Sequence, residues 1–304
     1  MANTLDVNLI TDTLAERAMN TLESKLAPLD LFSTDFSDEP VADNARGGGP
    51  RQTLQVELVK TAGDVLTNPT NFEVSNTENA AVSVVMNHLS RPVGLSAQDL
   101  NQGRRLMTKA TKAAEAIANA VMDSCLSLVT TTNYDNPVVN VPSLDPTLAE
   151  ADRFSVKHLR ALWASLKATP RHGLLATEAY SNLLPGNLEA FRTPGDRTGI
   201  FGYDRLDWTD RFAAAGEGVA GFAANPAAMA VAARLPADPG DAKDRDYIIS
   251  DTVTVESLGI SVEYNVWFSR GTREHYLSYD VVFGAAVGDK DALTILLDQS
   301  ASSS

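Results

Sequence analysis

Residues 96–128, SAQDLNQGRRLMTKATKAAEAIANAVMDSCLSL, decide the fold. Ser96 and Asp99 have the spacing of a capping box, which marks the start of a helix. Apolar residues then recur every three or four positions, with charged residues on the opposite face. If the helix continues to about residue 130 it is ~50 Å long, although Gly103 can kink or shorten it. The apolar stripe is Leu106, Ala110, Ala113, Ile117, Val121, Cys125 and Leu128.

The first fifty residues predict a helix followed by an arm. Residues 5–27 carry an apolar stripe at every fourth position, which is typical of an amphipathic helix, and Pro28 marks its end. Residues 33–50 contain clustered acids and end in Gly-Gly-Gly-Pro at 47–50, which indicates an extended, flexible arm or a plain surface loop. The whole segment holds nine acids against three bases, a net charge of −6.

Strand patterns lie on both sides of the long helix. Apolar residues alternate with polar ones near 54–58 and 82–86, which predicts two strands joined by a long, loose excursion. Two strands alone cannot bury an apolar face, so this pair needs a further surface to lie on, and a neighbouring subunit is one candidate. The C-terminal third alternates at 253–255, 260–268 and 277–283, which predicts antiparallel neighbours.

The region between the long helix and these last strands is less regular. Residues 155–168 predict a helix with Ser155 as its cap and a buried face that includes Trp163. Residues 185–202 are rich in glycine and proline and predict a loop. The alanine-rich segment 222–235 fits either a helix or a strand.

Composition excludes several classes of protein. The chain has 304 residues, of which 44% are hydrophobic, enough for a sizeable core. No stretch approaches the ~18 consecutive apolar residues of a membrane span, and no secretory signal is evident. A single cysteine cannot form an intrachain disulfide, which fits a reducing cytosol. The net charge of −14 argues against a nucleic-acid-coating protein, which needs clustered Lys and Arg.

One glycine-rich sequence has the spacing of a dinucleotide-binding motif. It is Gly-Glu-Gly-Val-Ala-Gly at 216–221. That motif requires a buried strand before it and a helix opening at its third glycine. The preceding residues form a poor strand, Glu217 would lie near a pyrophosphate, and Pro226 interrupts the following segment. A plain glycine-rich turn is the better interpretation.

The other reactive side chains give no site. No two of the four histidines have the spacing of a zinc-binding helix, and one cysteine cannot build a thiolate site. His158 is predicted to be solvated on its helix, and Cys125 to be inert packing. The acids at 35–43 lack the pattern of a calcium loop. The tryptophans are not interleaved with basic residues. We therefore predict no catalytic, cofactor-binding or metal-binding residue. The histidines are His88, His158, His172 and His275.

The order of these features resembles that of the major capsid proteins of tailed bacteriophages, whose fold is named after phage HK97. The string LSAQDL at 95–100 resembles the start of the family's spine helix, and VTTT at 129–132 fits its end. GFAANPAAM at 221–229 resembles a late segment of the A-domain. LGISV at 258–262 and FGAAVG at 283–288 resemble the closing sheet of the P-domain and the C-terminal run.

The resemblance implies an α+β, HK97-like capsid fold. It also implies a subunit without enzymatic activity that self-assembles through pentamers and hexamers into an icosahedral shell around double-stranded DNA, formed in the host cytoplasm. The expected partners are copies of itself, and scaffolding, portal and decoration or cement proteins are possible further partners. Contact with the packaged DNA is expected to be non-specific only. No membrane and no cofactor are expected. The implied segments are an N-arm (1–50), an extended E-loop hairpin (51–91), a P-domain with the spine helix (92–152), an A-domain (153–245), and P-domain sheet strands with a C-terminal segment (246–304).

The resemblance also gives roles to the irregular segments. Residues 47–50 and the tip at 63–79 are expected to flex between pentamers and hexamers. The acidic arm, if it lines the interior, would repel packaged DNA. The alternatives are an encapsulin-like nanocompartment shell protein of the same fold, a soluble enzyme that uses the glycine-rich loop, and a phage tail or adhesin subunit.

Overall fold

A computed structural model describes residues 7–41, 52–59, 79–96, 98–99, 102–166, 169–183, 202–214, 218–237 and 245–300. The fold is α+β, as expected, and mostly β-strand. Its helices are α1 (Val7–Leu26), α2 (Gly103–Leu126), α3 (Val156–Ser165) and α4 (Thr177–Ser181). Its strands are β1 (Ser33–Val41), β2 (Thr53–Val59), β3 (Asn79–Val85), β4 (Asn87–Ser90), β5 (Val93–Leu95), β6 (Val139–Val141), β7 (His172–Ala176), β8 (Arg205–Thr209), β9 (Val219–Ala224), β10 (Met229–Pro236), β11 (Arg245–Val255), β12 (Ile260–Ser269), β13 (Glu274–Val287) and β14 (Leu293–Asp298).

The larger sheet has seven strands centred on β13. Its order is β1-β10-β13-β12-β11, and β4 and β5 also pair with β13. The antiparallel pairing of β11, β12 and β13 confirms the prediction from the period of two. The alternation of apolar and polar residues predicts these strands correctly because one face of them packs on helices, where Val266 and Leu277 are buried.

The prediction of a flexible arm is wrong for residues 33–41. They form β1, which pairs in parallel with β10. Arg234 of β10 donates hydrogen bonds to the backbone oxygen and the carboxylate of Asp35, at 2.7 and 2.9 Å. Strand β1 contains three acidic residues, and it is stabilised by Arg234, which is nearly two hundred residues away in the sequence. Residues 47–50 and 63–78, predicted to flex, lie outside the described residues.

The smaller sheet has five strands in the order β6-β14-β9-β7-β8. Its central strand β9 and the following β10 of the larger sheet form the alanine-rich segment whose type was open, and both are strands. They are buried along nearly their whole length, which removes the alternation that identifies a half-buried strand. Both sheets combine strands that are distant in the sequence: β6 and β14 join the smaller sheet, and β10 joins the larger sheet.

The long helix is shorter than its pattern predicts. Ser96 and Asp99 form the expected capping box, in which the Ser96 N–H and hydroxyl donate to the Asp99 carboxylate at 2.8 and 2.7 Å. However, Gln102 has an extended backbone, and α2 begins only at Gly103. The helix ends at Leu126, so its 24 residues span ~36 Å rather than ~50 Å.

Helix α1 packs along α2 and contacts β11. Its side chains Ala18, Leu22 and Leu26 are fully buried, in agreement with the predicted stripe. Helix α3 confirms the prediction for 155–168, although it ends at Ser165. None of the described helices is both long enough and apolar enough to cross a membrane.

The buried apolar residues of the described part of the chain form two separate clusters. The larger cluster joins both sheets with α1, α2 and α3. The smaller cluster lies under the antiparallel pair β2–β3, which we call the ribbon, and holds it against β10 and β13. Its buried members are Val56, Leu58, Val84, Met86, Ala230, Ala232 and Val282.

Candidate functional site

The glycine-rich sequence does not form a dinucleotide site. Gly218 has a positive φ of 70°, and strand β9 follows it directly, where the motif requires a helix. Gly221 lies inside that strand, and a Cβ there would be 2.8 Å from the carbonyl oxygen of Leu174. The glycine therefore permits close packing of β9 on β7. Residues 216–217 lie outside the described part of the chain.

The structure corrects the prediction of a solvated His158. Its Nδ1 accepts a hydrogen bond from the backbone N–H of Ser155 at 3.2 Å, so the ring completes the cap of α3. Burial lowers the pKa of His158, and the positive charge of Lys157 lowers it further. Within the described residues, no three His, Cys, Asp or Glu side chains group as metal ligands would.

Cys125 lies in the core on the inner face of α2, as its place on the apolar stripe predicts. Burial raises the pKa of its thiol far above the ordinary value. The thiolate is the nucleophilic form of cysteine, so this side chain is chemically inert in the folded protein.

The ribbon covers its own apolar face without a neighbouring subunit over the residues that the structure describes. Val56, Leu58 and Val84 pack onto the larger sheet of the same chain. The backbones of β3 and β13 lie close together here, because a Cβ on Gly284 would be 2.5 Å from the carbonyl oxygen of Val85. The opposite face of the ribbon is exposed, and the Val85 side chain there is 45% exposed.

A buried polar pair lies just beyond the ribbon. His88 of β4 contacts Asp280 of β13, with 3.2 Å between Nε2 and Oδ1, and the Ser278 hydroxyl donates to the same carboxylate at 2.5 Å. Burial alone would raise the pKa of Asp280, but the hydrogen bonds from His88 and Ser278 outweigh it and hold the pKa below its ordinary value. The pair fastens β4, and with it the end of the ribbon, to the central strand.

An open groove of about 600 Å³ lies between the end of α1 and strand β8. The Trp208 ring is 38% exposed there and stacks on Tyr180, with 4.5 Å between ring centroids. The groove is lined by three carboxylates and one ammonium group, together with small and polar residues. The charged residues of the lining are Glu23, Lys25, Asp207 and Asp210.

Sequence reasoning missed this groove. Its two walls, 23–28 and 207–210, are about 180 residues apart in the chain, and only the fold brings them together. The local sequence Asp-Trp-Thr-Asp at 207–210 was the available signal, since it places an aromatic ring between two acids.

Comparison with known proteins identifies the fold but no family. No protein-family model and no curated protein matches the chain. The crystal structure of a virus-like particle from Pyrococcus furiosus is similar over 94% of this chain and 98% of that one, with 15% identity and a TM-score of 0.52. The capsid of a native GTA particle, computed with C5 symmetry, is similar over 90% of both chains, with 11% identity and a TM-score of 0.51. The chain therefore has the fold of capsid and virus-like-particle subunits along nearly its whole length.

Proposed function

We propose that this chain is the major capsid protein of a tailed bacteriophage, which assembles through pentamers and hexamers into an icosahedral shell around double-stranded DNA. The observation that carries this proposal is the likeness in fold to shell subunits over 90% or more of the chain. The order of sequence strings that resembles phage capsid proteins, from 95–100 to 283–288, supports it independently.

The elements of the fold can be assigned to the parts of such a subunit. Helix α2 would be the spine helix, and the ribbon would be the base of the E-loop. The larger sheet would form the P-domain and the smaller sheet the A-domain. In this assignment β6 and β14 would belong to the A-domain and β10 to the P-domain, although the contiguous segments place them otherwise. The protein would act by binding other copies of itself, without catalysis.

The charge of the chain fits a container for DNA better than a DNA-binding protein. The net charge is −14, and the first fifty residues carry −6 of it. If that segment faces the interior, it would repel packaged DNA and restrict contact to non-specific encounters. Scaffolding, portal and cement proteins are further proposed partners.

Negative-stain electron microscopy of the purified protein, alongside its size-exclusion volume, tests this function. We expect thin-walled closed spheres or capsomer rings. Nuclease-protected double-stranded DNA and a portal in the particles would support the phage capsid, whereas a co-purifying enzyme inside would indicate the encapsulin-like nanocompartment. Tubes or fibres would indicate a tail or adhesin subunit. A monodisperse monomer at high concentration, with no particle in the expressing cells, would contradict the proposal.

A further inference from the structure

We propose that the exposed face of α3 on one copy of this chain docks into the groove between α1 and β8 on the next copy. The inference rests on the proposed function, since it names the surfaces through which neighbouring copies would meet. It is carried by the opposite charge of the two surfaces and by their lying on separate patches of the chain.

The groove has the chemistry of a cation acceptor. Glu23 and Asp210 are exposed at its walls. Lys25 neutralises only part of their negative charge, because its ammonium group lies 3.7 Å from Asp210 and 3.6 Å from Glu115. The exposed ring of Trp208 adds an aromatic face beside the carboxylates. Guanidinium and ammonium groups bind favourably to both kinds of group, by charge-assisted hydrogen bonds and by cation–π contact.

Helix α3 presents the complementary surface. Lys157 and Arg160 are exposed on it, and neither makes an ion pair with any described residue. Ala161 and Ala164 are exposed on the same face and are small enough to allow close approach. The helix contains no acidic residue, so its outer face carries only positive charge.

The two surfaces are different patches of the chain. Helix α3 contacts β6, β14 and β9, and it also reaches the residues just before β8, because Trp163 donates a hydrogen bond to the carbonyl oxygen of Gly202 at 2.8 Å. The groove lies at the other end of β8, where Trp208 and Asp210 face the end of α1. A contact between two different patches is heterologous, and its repetition gives a ring if the rotation closes and an open filament if it does not. Pentamers and hexamers of one chain are rings of this kind.

Charge reversal followed by charge exchange tests the contact. Lys157→Glu with Arg160→Glu should place like charges across the interface and lower the assembled fraction, measured by sedimentation of the full chain, at least about tenfold. Glu23→Lys with Asp210→Lys should do the same. The chain carrying all four substitutions keeps the net charge of −14 and should assemble as the unmodified chain does. These four positions are exposed, and circular dichroism would verify that each variant folds.

A matched control separates the contact from net charge. Arg104→Glu with Lys112→Glu makes the same change of charge on the exposed side of α2 and should leave assembly unchanged. The inference is overturned if the α3 variant assembles normally, if the control loses assembly equally, or if the four-substitution chain is not restored. In each of these cases the unmodified chain still forms shells, so the proposed function stands. An unmodified chain that stays monomeric would overturn both.

Discussion

Substituting Gly284 by alanine should loosen the ribbon from the sheet beneath it. The added Cβ would lie 2.5 Å from the carbonyl oxygen of Val85 and 2.7 Å from Cγ1 of Val84. Favourable contacts between heavy atoms begin at about 3.5 Å, so one of the two layers must move. Because the nearest atom belongs to the backbone of β3, a rotation of a side chain cannot relieve the clash.

The size of the effect follows from two opposing quantities. Full burial of a large apolar side chain contributes about 1.5–3 kcal/mol. The buried ribbon side chains Val56, Leu58 and Val84, together with Met86 directly after the ribbon, therefore hold it with at most about 6–12 kcal/mol. Overpacking a well-filled interior costs about 1–3 kcal/mol. The strain is smaller than the attachment, so we expect the ribbon to stay in place with weaker packing.

Gly94→Ala is the matched control, because it lies in β5 of the same sheet and no atom lies within 4 Å of its added Cβ. Both substitutions restrict the unfolded chain equally, so the difference in their free energies of unfolding isolates the overpacking cost of about 1–3 kcal/mol. Urea denaturation would measure that difference, and hydrogen exchange should show faster exchange in 53–59 and 79–85 for Gly284→Ala alone. Equal stability of the two variants would refute the close packing of ribbon and sheet.

Three further changes test the core and its polar contacts. Cys125 should not react with a thiol reagent until the protein unfolds, because its thiol is buried and its pKa is raised; rapid labelling of the folded chain would contradict this. Hydrogen bonds from Lys109 and Ser96 hold the pKa of Asp99 well below 3.8, so the stability that the carboxylate contributes is fully present above that pH and is lost progressively as the pH falls from 3.8 towards the lowered pKa. Acid titration should show this loss in the unmodified chain and not in Asp99→Asn. His88→Ala removes a partner of buried Asp280 and should lower the free energy of unfolding by about 1–3 kcal/mol in urea denaturation; an unchanged midpoint would show that the pair is not formed.

Local patterns predicted the elements whose neighbours impose one regular environment. Strand β12 alternates because one of its faces is apolar core and the other is polar, where Glu263 and Asn265 lie. Helix α2 has its stripe because one side faces the core. The sequence pattern placed the start of α2 too early. The capping box at Ser96 does form, but it caps a separate turn, and the extended backbone of Gln102 separates that turn from the helix.

The elements that local patterns missed depend on distant partners. The acids and proline of 33–41 disfavour a strand, yet β1 forms because β10 offers an edge and Arg234 neutralises Asp35. The groove is a stronger example, since each wall alone is an ordinary helix end or edge strand. Its chemistry exists only after folding places Asp210 within 3.7 Å of Lys25.

The division of the core indicates which part of the subunit can adapt to different neighbours. The chain passes from the smaller sheet into the larger one at β9–β10 and returns at β13–β14, and one continuous apolar cluster fills both. Moving one sheet against the other would disrupt that cluster, so we expect the two sheets to behave as a single rigid body. The ribbon is attached through a separate and much smaller cluster. In the proposed shell, a difference in geometry between pentamers and hexamers would therefore be absorbed by the ribbon, which can shift while the main core stays intact.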